Sequence, residues 1–114
     1  MSEPPSIPQR RAAVFQHGIR AGNLFETEDG GWVFTYREGY SGEPVSLTMP
    51  VQEEPYQFSY FPPPFEGLLP EGTQLDALLR NRKIDRDDAF GQLVVVGSDL
   101  VGSLTVEEEA VEND

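Results

Sequence analysis

Residues 27–36 are TEDGGWVFTY, a turn sequence followed by an alternating strand pattern. The Asp-Gly pair is a strong short-range hairpin signal, because glycine accepts the positive φ that tight hairpin turns require. From Trp32 onward, aromatic residues alternate with smaller or polar ones. Side chains two residues apart in a strand lie on the same face, so the pattern predicts a β-strand with Trp32, Phe34 and Tyr36 on one side.

Strand patterns also lie on both sides of this segment. Ala13–His17 and Ile19–Phe25 precede it, with Gly18 as the turn residue between them. Two later strands are predicted from alternating apolar residues, first Val45, Leu47 and Met49 before Pro50, then Leu100, Leu104 and Val106. We expect the apolar sides of these strands to share one face of a small antiparallel sheet.

The second half of the chain predicts short helices. Pro62–Pro64 stops any strand, since proline has no N–H for the ladder, and residues 65–69 can form one or two helical turns. Thr73 can cap a second helix and Asp85 a third. The apolar positions of these two helices are Leu75, Leu78 and Leu79, then Ala89, Phe90, Leu93 and Val94, with Gly97 after the third helix. The run 94–96 is also compatible with a strand, because valine is β-branched. The fold class predicted is therefore α+β, a small antiparallel β-sheet packed with two to three short helices.

Composition limits the classes of function. The chain has 114 residues, 20 acidic and 8 basic side chains, a net charge of −12 and no cysteine. A surface this negative repels phosphate backbones and anionic lipid, so we expect no direct nucleic-acid partner and no membrane partner. The absence of cysteine excludes disulfides and thiolate metal sites and fits a reducing cytoplasm. The N-terminal residues show no secretory signal and no apolar run is long enough to span a membrane, so a cytoplasmic location is predicted.

Charge and proline content divide the chain into three parts. Residues 1–11 hold three prolines and two arginines and predict a disordered lead-in, residues 12–106 predict one folded domain, and residues 107–114 predict a disordered acidic tail. Four of the basic residues are clustered within seven positions, Arg80, Arg82, Lys83 and Arg86. Such a cluster is either a solvated helix end or a contact point for a partner.

The residues that enzymes use are scarce in this chain. His17 is the one histidine, and the sequence has no HExxH zinc motif and no glycine-rich phosphate loop. The acidic pairs at 53–54 and 87–88 lack the spacing of a calcium loop. We therefore predict a protein that is not an enzyme, with no catalytic residues, no metal site and no cofactor.

Residues 56–65, YQFSYFPPPF, combine five Phe and Tyr side chains with three consecutive prolines. Consecutive prolines favour the stiff polyproline II conformation, and aromatic side chains are common anchors at protein interfaces. The same residues could instead fill the core while the prolines turn a corner. We expect both, with Phe58 and Phe65 inward and Phe61 and the prolines at least partly outward.

Four segments resemble motifs of the HipA N-terminal subdomain family, in the same order and spacing. They are residues 45–50 (VSLTMP), 65–72 (FEGLLPEG), 88–93 (DAFGQL) and 97–104 (GSDLVGSL), and the likeness extends over about 12–106. Two positions depart from the family pattern. Pro64 stands where many members have the first Phe of a Phe-Phe pair, and Gly67 replaces the usual Asn.

The resemblance implies a partner and a role. In full-length HipA kinases this subdomain is followed by a kinase body that holds the ATP site and the catalytic aspartates, whereas this chain ends soon after the match. It is therefore similar to the stand-alone HipS components of bacterial HipBST toxin–antitoxin systems. The resemblance implies an antitoxin that binds and neutralises a HipT-like serine/threonine kinase toxin in trans, with a HipB-like helix-turn-helix protein as a second partner reached through the kinase. The kinase's implied substrate class is an aminoacyl-tRNA synthetase.

On this hypothesis, the aromatic and proline segment and the turn after it contact the kinase. The expected partner-binding residues are Phe61, Pro62, Pro63, Pro64, Phe65, Glu66, Gly67 and Glu71. Phe61 and Phe65 would be the anchors, and removal of both rings is expected to weaken the complex without unfolding the domain. Glu66 and Glu71 would pair with basic residues of the kinase.

Two other functions are compatible with the same residues. The chain could be an accessory subunit that completes or activates the kinase and bridges it to the HipB-like partner. It could instead be an unrelated ligand-binding module that recognises a carbohydrate or a peptide through Trp32, Phe34 and Tyr36. A small enzyme would show turnover without any partner.

Overall fold

A computed structural model describes residues 10–97 and 103–109 of the chain. The elements it contains are β1 (Arg11–Gln16), β2 (Ile19–Glu26), β3 (Trp32–Tyr36), β4 (Tyr56–Phe58), α1 (Pro63–Glu66), α2 (Gly72–Arg82), α3 (Ala89–Val96) and β5 (Leu104–Glu109). The strands form one sheet in the order β4-β3-β2-β1-β5, with every neighbouring pair antiparallel. This architecture confirms the predicted α+β class. None of the described helices is long and apolar enough to cross a membrane.

The hairpin predicted at Asp29-Gly30 connects β2 to β3. Gly30 adopts a φ of 89°, and the amide of Gly31 donates to the Thr27 hydroxyl at 2.9 Å and to the Asp29 carboxylate at 3.3 Å. The Thr27 hydroxyl also donates to the Asp29 carboxylate, and these two donors hold the pKa of Asp29 below its ordinary value. The turn chemistry was therefore visible in the sequence, because each of these groups lies within the same five residues.

The alternation in β3 predicts its burial correctly. Trp32, Phe34 and Tyr36 are 7%, 0% and 8% exposed, while Val33 and Thr35 between them are only partly buried. Their side chains belong to the same buried cluster as those of the neighbouring strands and helices, Val14, Leu24, Val106, Phe65, Phe90 and Leu93. Helices α1 and α3 thus cover the aromatic face of the sheet.

The segment Val45–Met49 is a turn, and the prediction of a strand there was wrong. Ser46 and Met49 form an isolated bridge, with Val45 and Met49 buried and Leu47 fully exposed between them. The Tyr36 hydroxyl accepts a hydrogen bond from the Val45 amide at 3.0 Å and donates one to the Met49 carbonyl. In a strand, this amide and this carbonyl would bond to a neighbouring strand. Here the Tyr36 hydroxyl takes both, which fixes the turn. Burial raises the pKa of Tyr36 above its ordinary value.

The fourth strand of the sheet was not predicted. Residues 56–58 pair with β3, with Trp32 opposite Phe58 and Phe34 opposite Tyr56. The strand has three residues, too few for an alternating pattern to stand out beside the prolines that follow. It lies at one edge of the sheet, with β5 at the other.

The last strand continues to Glu109, three residues into the region where the sequence suggested an acidic tail. The reason is a local set of donors, since the Glu109 carboxylate is bonded by Arg20, by Asn23 at 2.6 Å and by Arg11 at 3.5 Å. Arg11 lies within the predicted lead-in, yet it is the first residue of β1. Leu100, predicted in the same strand, lies outside the described residues.

Helix α3 begins at Ala89 and continues through the three valines. Asp88, and not Asp85 as predicted, caps it by accepting from the Gly91 amide at 3.0 Å. Gly97 follows with a φ of −57°, so it is not the left-handed cap that the sequence suggested. Its lack of a side chain is needed for another reason, because a methyl group there would overlap the backbone carbonyl of Val106.

Gly97→Ala should therefore destabilise the domain. Either the C-terminal end of α3 or β5 must shift to make room, and forced overpacking typically costs about 1–3 kcal/mol in the free energy of unfolding. Urea denaturation followed by circular dichroism measures the change. Gly67→Ala is the matched control, since Gly67 is right-handed helical and the nearest atom to its new Cβ would be 3.5 Å away. Equal stability of the two variants would contradict the close packing of α3 on β5.

Candidate functional site

An open cleft lies where the three helices approach one another on the covered face of the sheet. Its volume is about 630 Å³. It is lined by α1, the loop after it and the beginnings of α2 and α3, namely Phe61, Pro63, Glu66, Gly67, Leu69, Pro70, Glu71, Leu75, Arg86, Asp87, Ala89 and Gln92. Five of the eight residues predicted to bind a partner are among them.

The local sequence explains how these five residues reach the cleft. Pro62 has an extended backbone conformation. Its carbonyl accepts hydrogen bonds from the amides of Phe65 and Glu66 at 3.0 Å each, which starts α1. Pro63 is well suited to the first turn, where its missing N–H would have had no helical partner. Because Phe65 turns inward in this short helix, its neighbour Glu66 and the following Gly67 are left exposed at the rim.

Two predicted contact residues are core residues instead. Phe65 is 0% exposed and its ring lies 5.7 Å from that of Phe34, centroid to centroid. Pro62 is also fully buried. Phe65 therefore anchors α1 to the sheet, and its burial leads us to expect that its removal destabilises the domain. The interpretation of Phe58 and Phe65 as inward-facing holds for Phe65 fully and for Phe58 in part.

The remaining predicted residues differ in how accessible they are. Phe61 is partly buried, with its ring edge-on to Trp32 at a centroid distance of 5.0 Å. Pro64 is partly buried and does not line the cleft. Glu71, like Glu66, is exposed. The accessible groups of the predicted set are therefore two carboxylates and a proline and glycine backbone, with Phe61 at their base.

The cleft is acidic overall. Glu66, Glu71 and Asp87 contribute carboxylates, and Arg86 is the one cation that lines it among residues 10–97 and 103–109. The Arg86 guanidinium is already bound to Asp76 of α2, at 2.6 Å. The three carboxylates have no ion-pair partner in the described part of the chain, so the cleft suits a cationic surface better than an anionic one.

A cleft residue that sequence reasoning missed is Gln92 of α3. Gln92 is buried, and its amide nitrogen donates to the carbonyls of Asp85 at 3.3 Å and Arg86 at 2.9 Å. It thereby fixes the loop that places Arg86 and Asp87 in the cleft. The one available signal was a glutamine at a helical position with apolar neighbours, which is consistent with a buried polar side chain that serves nearby backbone groups.

Arg10 connects the helical side of the cleft to the sheet. Its guanidinium is bonded to Glu26 of β2 at 3.1 Å and to Asp88, the cap of α3, at 2.7 Å. It also lies over the ring of Phe90, 5.0 Å from the centroid. Partial burial disfavours the charged guanidinium, but the two carboxylates outweigh that effect and raise the pKa of Arg10 above its ordinary value. The cation therefore stays charged and holds the start of α3 in place.

One alternative site of the sequence analysis does not form. Trp32, Phe34 and Tyr36 are buried, so a module that recognises a ligand through those three rings is excluded. His17 is an exposed turn residue whose Nε2 lies 3.4 Å from a carboxylate oxygen of Glu43. Within residues 10–97 and 103–109, no three His, Asp or Glu side chains are grouped closely enough to hold a metal ion.

Two comparisons with known proteins give the same family, and a third finds an uncharacterized relative. A family model of the HipA N-terminal domain matches residues 12–107. An uncharacterized protein of Haemophilus influenzae is 32% identical over 100 residues, which cover 88% of this chain and 93% of that protein. The solved structure of the N-terminal domain of HipA toxin aligns with a TM-score of 0.72 and 27% identity, over 96% of this chain and 100% of that one.

The division of the predicted residues into core and rim can be tested by two neighbouring substitutions. Phe65→Ala should lower the free energy of unfolding by about 3–5 kcal/mol, because it leaves a cavity beneath the sheet. Glu66→Ala removes an exposed side chain from the same short helix and should change the free energy of unfolding by less than about 0.5 kcal/mol. Chemical denaturation of both variants gives the comparison. A small effect of Phe65→Ala would return this ring to the list of accessible contacts.

Proposed function

The chain belongs to the HipA N-terminal domain family, and from that premise we propose that it is a HipS-type component of a toxin–antitoxin system. In this proposal it binds a HipT-type serine/threonine kinase in trans and neutralises it. A HipB-like DNA-binding protein joins the assembly through the kinase. The chain itself performs no catalysis.

The observation that carries the proposal is the acidic cleft between the helices. It brings together residues that the sequence pattern had already singled out as contacts, including Glu66, Gly67 and Glu71. A protein kinase binds the phosphates of ATP with cationic groups, so a negatively charged surface complements the region around its nucleotide. Charge complementarity of this kind speeds association and favours one orientation over others.

The rim of the cleft is held in a fixed shape before any partner arrives. Pro62 and Phe65 are buried, so both ends of the first turn of α1 are fixed to the core. The proline backbone between them loses little conformational freedom on binding. We therefore infer that Pro63, Glu66 and Gly67 form a preformed projection, with Phe61 packed behind it against Trp32.

The Haemophilus influenzae relative supports an independent existence for this domain. The matched region fills 93% of that protein, which leaves little room for a kinase body in the same chain. A domain of this family can thus be encoded by itself. Contact with a kinase would then be made between two chains.

The test is the activity of the purified HipT-type kinase with and without this chain. The wild-type chain should suppress kinase autophosphorylation. Glu66→Lys with Glu71→Lys should weaken binding by about tenfold or more, because two exposed charges at the interface are reversed. Isothermal titration calorimetry measures the affinity, and the kinase assay measures the inhibition.

Glu28→Lys with Glu38→Lys is the matched control. It makes the same change in net charge at two exposed positions outside the cleft. Equal weakening by both double variants would mean that only overall charge matters, which would contradict a specific role for the cleft. Stimulation of the kinase by the wild-type chain would replace neutralisation with activation.

A further inference from the structure

Helix α2 forms without burying any of its side chains fully. Its 11 residues, Gly72–Arg82, include three leucines at the spacing of one helical face, Leu75, Leu78 and Leu79. All three are partly buried, and none is among the described side chains that make up the core or pack against it. The apolar face of α2 is therefore incompletely covered by the rest of the domain.

The ends of α2 add little stability to make up for its incompletely covered apolar face. Glu71 precedes the helix without a side-chain capping bond, and Gly72 begins it with a φ of 61°. Lys83 ends it in the left-handed conformation, where the amides of Lys83 and Ile84 donate to the Leu79 carbonyl, but that conformation costs a residue other than glycine part of what the cap contributes. Isolated helices shorter than about 12–15 residues are marginal in water, so most of the stability of such a helix must come from packing of its apolar face.

A cationic group lies at the end of this same helix. Arg80, Arg82 and Lys83 are exposed, and none of the three has a carboxylate partner among the described residues. Arg86, the fourth member of the basic cluster, is paired with Asp76. The helix dipole favours cations at this end, but three adjacent cations without partners also present a strong positive surface in an otherwise acidic chain.

We propose that α2 is a second docking surface for the kinase partner inferred above, and this inference rests on that proposed function. The partner contacts the leucine face with an apolar patch and the basic end with carboxylates that border the patch. Leu75 belongs both to this face and to the lining of the cleft, so the two surfaces are continuous. Acidic contacts at the cleft and basic contacts at the end of α2 together define one orientation of the partner.

The first measurement is hydrogen–deuterium exchange of the full chain, alone and in complex with the kinase. In the free chain the amides of α2 should exchange faster than those of β2, because the helix is held by few buried contacts. They should become protected on binding. Slow exchange in the free chain, or no added protection in the complex, would overturn the inference. Protection that arises in the chain alone as its concentration rises would assign the face to a second copy and would also overturn it.

The second measurement compares substitutions that are matched in chemistry. Leu78→Ala should weaken kinase binding by about tenfold, while alanine keeps a high helix propensity. Leu47→Ala removes the same atoms from a fully exposed turn and should leave affinity unchanged. Neutralising Arg80, Arg82 and Lys83 to Gln should lower the affinity for the kinase and reduce the salt dependence of that affinity. Arg37→Gln should change neither. Arg37 is exposed and has no ion pair among the described residues.

The outcomes separate this inference from the proposal it rests on. If Leu78→Ala and the triple Gln variant bind like the wild type while the Glu66→Lys, Glu71→Lys variant does not, α2 is not a docking surface and the proposed function stands. If the wild-type chain fails to bind the kinase at all, both conclusions are wrong. Loss of affinity in the two α2 variants with retained circular dichroism spectra supports the second surface.

Discussion

The aromatic row of β3 is the contact on which the helical half of the domain depends. Trp32 stacks on Phe90 of α3 at a centroid distance of 5.4 Å, and Phe34 packs on Phe65 of α1. The third member, Tyr36, holds the turn between β3 and β4 through its hydroxyl. Because α1 and α3 form two walls of the cleft, its shape depends on Trp32 and Phe34. Strand β3 thus positions the cleft residues of α1 and α3 through the packing of its side chains.

The sequence predicts those parts of the fold that depend on neighbouring residues. The hairpin at Gly30 and the inward face of β3 follow from turn chemistry and a period of two, which are local properties. The turn at Val45–Met49 could not be recognised in the same way, because a tight turn with both ends buried has the same alternation as a strand. Its geometry is fixed by a tyrosine hydroxyl from elsewhere in the chain.

The residues of the candidate site also differ in whether local sequence predicts their position. Glu66, Gly67 and Glu71 are close in sequence to a distinctive motif, so their position at a shared rim could be anticipated. Asp87 and Gln92 reach the cleft only because α3 packs on the sheet beside α1. The error over Phe65 has a similar cause, since an aromatic residue in a short helix can face either way until its partner is known. The positions of Asp87 and Gln92 and the orientation of Phe65 all depend on contacts between residues far apart in the chain, which local sequence patterns do not reveal.

The bridge made by Arg10 bears on how this domain is delimited. The match to the family model begins at residue 12, two positions after the guanidinium that joins β2 to the cap of α3. A fragment trimmed to the boundary of the family model would keep every family motif and lose that cross-link. A domain boundary for expression or fusion therefore has to include Arg10, because its removal loosens the attachment of the third helix to the sheet.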